Sequence, residues 1–387
     1  MLVSPSVWQP FAELTREDLP ILQDVQLSGN LFTYYDSQGF LLTTPTPTPL
    51  GLLLPKLSSL RILHISHESA EAVLSLGLQW SFITHLTLKS RLNHPTHASV
   101  VATIVKSCPS LLSLSMDMTL DDFPPEVSNS TVVSTVPPQR ANFRSLTLRL
   151  REGDRFERPV FDPSHALSAT FLGISTPALE DLTIVSSHGY SDMVSSSHEG
   201  SHMPFYETLA RSNCRITHLT ANDFLLANPK ALSRSLELLE SLISFKYEGS
   251  HKETSFIRNQ SGSNHLEPFL RLLAENTSLC PHLERVQMSD CDVRHIDAII
   301  TFTSSRHRLK HLTVDFGSLD VEGESEDVSS EHVKAAVAEW RQARGIQVVW
   351  KWQNTPINPG FFDSPCKGIP DEPPAPWRQW PPQRGHL

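Results

Sequence analysis

The stretch Ile83-Thr84-His85-Leu86-Thr87-Leu88 constrains this chain more than any other feature, because its spacing of apolar residues keeps returning. It reads L-x-x-L-x-L, with Ile allowed. Close copies occupy 143–148, 179–184, 216–221 and 309–314, and looser ones begin at Leu22, Leu60, Leu111, Leu242 and Leu283. A unit that recurs at irregular intervals of roughly 23 to 41 residues can bury its apolar side only against its neighbours, so the units are expected to stack into one elongated solenoid.

Between the copies the apolar period becomes helical. Val100, Val101, Ile104 and Val105 repeat that way, as do Leu232, Leu236, Leu239 and Leu242, and the run from Leu266 to Ala274. Further helices are expected at 68–76, 167–174 and 205–210, around Ile296, Ile299 and Ile300, and from Ser330 as a cap to Gly345 as a stop. The order is helix then strand each time. Proline stands two residues before the first apolar position at Pro20, Pro109, Pro177 and Pro281, where it would end the preceding helix and lead into a strand. The Thr-Pro run at 43–49 reads as an extended connector, and Gln347 to Trp352 as a final strand. The expected organisation is about ten irregular units plus that strand over 1–352, followed by a Pro-rich, aperiodic, loosely ordered tail over 353–387.

A formal charge of -10, with Lys and Arg scattered, argues against nucleic acid as a partner. Five Cys with no C-x-x-C pair suit reduced thiols rather than a disulfide framework. The N-terminus shows no secretory signal pattern, and no run of about 18 apolar residues provides a membrane span. A cytoplasmic or nuclear location follows as the expectation, with no membrane partner.

The Cys108-Pro-Ser-Leu111 and Cys280-Pro-His-Leu283 segments, with the recurring L-x-x-L-x-L strands, resemble the leucine-rich-repeat region of F-box proteins, in particular the irregular arrays common in fungi. The likeness covers roughly residues 16 to 352. It implies an α/β fold, an irregular leucine-rich-repeat solenoid with a parallel sheet on the concave face and helices on the convex face. It also implies a substrate receptor of a cullin-RING ubiquitin ligase, which docks on the Skp1 adaptor through an N-terminal F-box. Here Leu19-Pro20 leads directly into a strand unit, so Skp1 is expected as a partner only if an F-box lies upstream of Met1.

If Leu86 and Leu88 point into the core, strand alternation turns His85, Thr87 and Lys89 to the open face. The same rule selects Arg149, His218, Asn222, Arg285, Gln287, His311 and Asp315 as candidates for binding a protein on the concave face. Their plainer role is to be polar residues suited to an exposed strand. His198-Glu-Gly-Ser-His202 fits the zinc-protease pattern H-E-x-x-H, but Ser195 to Ser197, Gly200 and Pro204 suit a loop better than a rigid helix. Cys108 and Cys280 occupy apolar repeat positions and read as buried small hydrophobes. No phosphate-binding or hydrolase-elbow motif occurs. The expected function is therefore a non-enzymatic interaction scaffold without cofactor or metal; the alternatives are a repeat protein unrelated to ubiquitin and a metal-dependent hydrolase.

Overall fold

The computed structural model describes residues 21–28, 32–35, 41–47, 49–66, 70–89, 98–119, 139–151, 174–186, 209–226, 236–249, 265–291, 293–316 and 328–352, with 10, 13, 14, 17, 18 and 233 besides. The expected tail at 353–387 and the H-E-x-x-H segment at 198–202 lie outside the described residues.

The fold is mixed α/β, built on a parallel sheet of 11 strands whose spatial order follows the order of the chain. The strands are β1 (Asp24–Ser28), β4 (Ile62–Ser66), β5 (His85–Lys89), β6 (Ser113–Thr119), β8 (Ser145–Arg151), β10 (Asp181–Ser186), β11 (His218–Ala221), β12 (Ser244–Glu248), β13 (Arg285–Cys291), β14 (His311–Phe316) and β15 (Gln347–Trp352). Helices between them include α1 (Pro49–Leu53), α2 (Ala70–Leu74), α3 (Ala98–Ser107), α4 (Asp223–Leu226), α5 (Leu266–Glu275), α6 (Ile296–Ser305) and α7 (Val328–Arg344). Outside the main sheet, β2 (Phe32–Tyr35) pairs antiparallel with β3 (Leu41–Pro47), so the expected Thr-Pro connector is one arm of a hairpin. Strand β9 (Ile174–Ser175) pairs with β7 (Gln139–Arg140), so Ile174 belongs to a strand where a helix was expected.

The sequence motif sets the register. Its second apolar position forms one unbroken row: Leu63, Leu86, Leu114, Leu146, Leu182, Leu219, Phe245, Val286, Leu312 and Val348. Its third position forms another, from Ile65 and Leu88 to Val314 and Trp350. Nearly all of these side chains are buried and join a single core with the apolar sides of the helices. Phe245 of β12, for example, meets Phe269 of α5 with ring centroids 4.8 Å apart. A one-residue slip would turn every one of these rows to the other side, which is why the spacing fixes the pairing.

A turn leads into seven of the strands. The first apolar residue of the motif donates its N–H three residues back, as in Leu60 to Leu57, Ile83 to Trp80, Leu111 to Cys108, Leu179 to Thr176, Leu242 to Leu239, Leu283 to Cys280 and Leu309 to Arg306. This places Pro109, Pro177 and Pro281 second in a four-residue turn, where the fixed proline φ is already correct. Their role is turn-making, which is more specific than the helix stop expected. The next carbonyl along then accepts two N–H groups from the following unit: Arg61 from Thr84 and His85, Thr84 from Leu112 and Ser113, Leu112 from Arg144 and Ser145. The pattern continues to Glu284, which accepts from Lys310 and His311.

The residue that opens the turn faces inward. Leu57, Cys108, Thr176, Leu239, Cys280 and Arg306 hold equivalent positions and are buried, and Trp80 at the same position is half-buried against the core. Arg306 is the unexpected member. Its guanidinium donates to the carbonyls of Leu273, Leu279 (2.6 Å), Asn276 (3.2 Å) and Thr277 (3.3 Å), at and beyond the C-terminus of α5. Carbonyls left unpaired at a helix end carry partial negative charge, and these stand in for the carboxylate a buried arginine usually needs. At the far end, Gly345 closes α7 with φ of +63°, as expected of a glycine stop. Ser330 lies inside α7, which begins at Val328.

Candidate functional site

The side of the sheet opposite the core carries the polar rows. One row runs His85, Ser113, Ser145, Asp181, His218, Ser244, Arg285, His311 and Gln347 across neighbouring strands in register. The next runs His64, Thr87, Ser115, Thr147, Thr183, Thr220, Lys246, Gln287 and Thr313. All of these are half-buried or exposed. Of the candidates, Lys89, Arg149, His218, Arg285 and Gln287 are exposed, and His85, Thr87, His311 and Asp315 are half-buried.

Asn222 is the exception and corrects the expectation. It is 2% exposed and its amide donates to the carbonyl of Ser186 at 2.6 Å. Strand β11 stops at Ala221, so the alternation no longer applies one residue later. The chain turns there into α4, and the Asn222 carbonyl accepts the N–H groups of Leu225 and Leu226. Asn222 thus ties the start of α4 to the end of β10.

Two of the histidines are held by one local device. Thr84 Oγ1 lies 3.2 Å from the Arg61 carbonyl and 2.9 Å from His85 Nδ1. Thr217 Oγ1 lies 3.3 Å from the Glu180 carbonyl and 2.9 Å from His218 Nδ1. A hydroxyl has one proton and a carbonyl can only accept, so the proton goes to the carbonyl and each Nδ1–H donates to threonine. Nε2 is then the acceptor in the neutral ring. At His218 the neighbouring strand adds Asp181, whose Oδ1 is 2.8 Å from the same Nδ1. The recurring Thr-His dipeptide, Thr84-His85 and Thr217-His218, is the signal of this device in the sequence.

Two further charge pairs lie across or along strands. Lys246 Nζ meets Glu248 Oε1 at 2.7 Å on one strand, and Lys310 Nζ meets Glu284 Oε1 at 2.8 Å between units. The hydrogen bond from Lys310 holds the Glu284 carboxyl below its usual range, aided by the charges of Lys310, Arg285 and Arg308. Asp315 keeps its Oδ1 buried without a hydrogen-bond partner among the described residues.

Behind the face, Tyr247 Oη donates to Asp223 Oδ1 at 3.0 Å. Burial pushes the Asp223 carboxyl up to about 6, against the opposing pull of the Tyr247 hydrogen bond. Cys108 and Cys280 are buried as expected, and burial pushes each thiol up to about 12. Thiols so far from ionising are poor nucleophiles. Among the described residues, no three of His, Cys, Asp and Glu come together as a metal-ligating group. No helix among them is long and apolar enough to cross a membrane.

What the face offers a ligand is a band of hydroxyls, imidazole acceptors and scattered cations, fixed on rigid strands. No family model matches the chain, and no curated protein matches it.

Proposed function

We propose that this chain is a leucine-rich-repeat solenoid that works as a protein-binding scaffold, its concave face being the outward side of the sheet. The observation that carries the reading is the separation of roles in register. The apolar rows through Leu86 and Leu88 are buried across the sheet, while the rows through His85 and Thr87 stay open to solvent over the same strands. A continuous polar surface on a rigid sheet suits recognition of a large partner, since binding residues on strands lose little freedom on association. Under this reading residues 1–352 form the array and 353–387 a tail.

The likeness to F-box proteins supports a narrower version, the substrate-recognition part of a ubiquitin-ligase receptor. Purifying the product of the verified natural transcript and probing for Skp1 tests it. Recovery of Skp1 supports the receptor; its absence leaves a scaffold unrelated to ubiquitin. For the face itself, the combined substitution Thr87→Glu, Arg149→Glu and Arg285→Glu is expected to weaken retention of the copurifying partner at least about tenfold with the circular dichroism unchanged. Unaltered retention would contradict the reading.

A further inference from the structure

Building on the protein-binding reading of the outward face, we propose that its β13–β14 end receives an acidic segment of the partner protein. The chain carries a net charge of -10, yet at the start of β13 and β14 these two neighbouring units carry His282, Arg285, His307, Arg308, Lys310 and His311 with one carboxylate, Glu284, among them, while Asp290 and Asp315 stand toward the other ends of the two strands. All six are exposed or half-buried. Lys310 is matched to Glu284 at 2.8 Å. Arg308 is not matched to a carboxylate: its Nη1 donates to Nδ1 of His282 at 2.8 Å, which steadies the guanidinium without neutralising it. Arg285 has no carboxylate paired with it among the described residues, and it stands on the outward row between Ser244 and His311.

Two guanidinium groups in adjacent units, one held by a neutral acceptor, therefore share with Lys310 the one negative charge of Glu284, which leaves the cluster net positive. Guanidinium binds carboxylate through paired, charge-assisted hydrogen bonds, which makes Asp or Glu side chains the matching chemistry. The patch is also local. A long polyanion would run from it onto a molecule of opposite preference, because the rest of the chain is more acidic than the whole, whereas a short acidic stretch of polypeptide stays within the favourable field.

The test is fluorescence anisotropy with labelled hexaglutamate, hexalysine and oligodeoxythymidylate as probes of the full chain. Hexaglutamate is expected to bind at low salt and to weaken as salt rises, while any binding of hexalysine to the acidic remainder is not lowered by charge reversal at Arg285 and Arg308. Arg285→Glu with Arg308→Glu should weaken hexaglutamate by about tenfold or more, while Lys106→Glu on α3 leaves it unchanged. If the double reversal disturbs the circular dichroism, Arg285→Gln with Arg308→Gln replaces it, with a loss of at least about threefold expected. Equal affinity of the wild type and the folded double variant for hexaglutamate, or tighter binding of the oligonucleotide than of hexaglutamate, overturns the proposal. Such a failure is separable from failure of the wider reading, because crosslinks from the sheet face report a protein partner whatever its charge.

Discussion

The Arg344 guanidinium donates to the main-chain carbonyl of Arg306, whose own guanidinium caps the preceding helix, α5. Arg344 also reaches the Thr303 carbonyl at 2.5 Å, near the end of α6. The units of α5, α6 and α7 are thus joined by a relay in which an arginine of the later unit satisfies carbonyls at or near the helix end of the one before. Removing the Arg306 head group takes a donor from four carbonyls, two of them in buried bonds, although that of Asn276 keeps the N–H of Leu279. Arg306→Met is expected to cost about 3 kcal/mol and Arg344→Met about 1 kcal/mol. Because the two share the Arg306 backbone, the double variant should lose less than the sum, as read by urea unfolding in a double-mutant cycle. Strict additivity would show that the two caps are independent.

Much of the fold was legible in the sequence, for a physical reason. The apolar spacing of Ile83, Leu86 and Leu88 is the same spacing that sets the register, so finding the motif also located the parallel strands and their buried side. What was not legible depends on contacts between units. Arg306 carries no sign in the sequence that it replaces Cys108 and Cys280 at the buried start of the turn. Asn222 looked outward because the alternation was carried one residue past the end of β11. The pairing of Asp181 with His218 needs two strands laid side by side, although each residue was visible alone.

The contrast between the two rows gives the plainest stability prediction. Leu86 is 1% exposed and flanked in register by Leu63 and Leu114. Leu86→Ala is expected to cost about 3 kcal/mol, whereas Thr87→Ala should stay within about 0.5 kcal/mol. Urea midpoints for the two variants check this. Comparable losses would mean that the hydroxyl row also holds the fold together.

Asp223 should make stability depend on pH. Its carboxyl titrates at about 6 in the folded chain against an ordinary value of 3.8, so between these values the folded state holds the proton that the unfolded state has released. Stability then falls as pH rises from about 4 to about 6 and levels off above that. Asp223→Asn keeps an acceptor for Tyr247 Oη but cannot ionise. The variant should gain on the order of 2 kcal/mol relative to wild type across that window. Parallel curves of urea midpoint against pH would contradict the assignment.

The Thr84–His85 device makes a prediction about a single proton. At pH 8 the neutral His85 ring should be the Nδ1–H tautomer, and Thr84→Val should release it toward the Nε2–H form. Long-range proton–nitrogen correlation spectra of nitrogen-labelled protein distinguish the two forms directly. An Nε2–H ring in the wild type would show that the Thr84 proton points at histidine instead of the Arg61 carbonyl.

The central claim, that the outward side of the sheet is the surface a protein partner meets, is tested most directly by crosslinking mass spectrometry of the wild-type chain with its copurifying partner. Lysines report both sides of the molecule: Lys89, Lys246 and Lys351 stand on strands of the outward face, and Lys106 and Lys334 on helices α3 and α7. The expected result is intermolecular crosslinks concentrated on Lys89, Lys246 and Lys351. Crosslinks concentrated on Lys106 and Lys334, with the strand lysines unmodified by the partner, would contradict it.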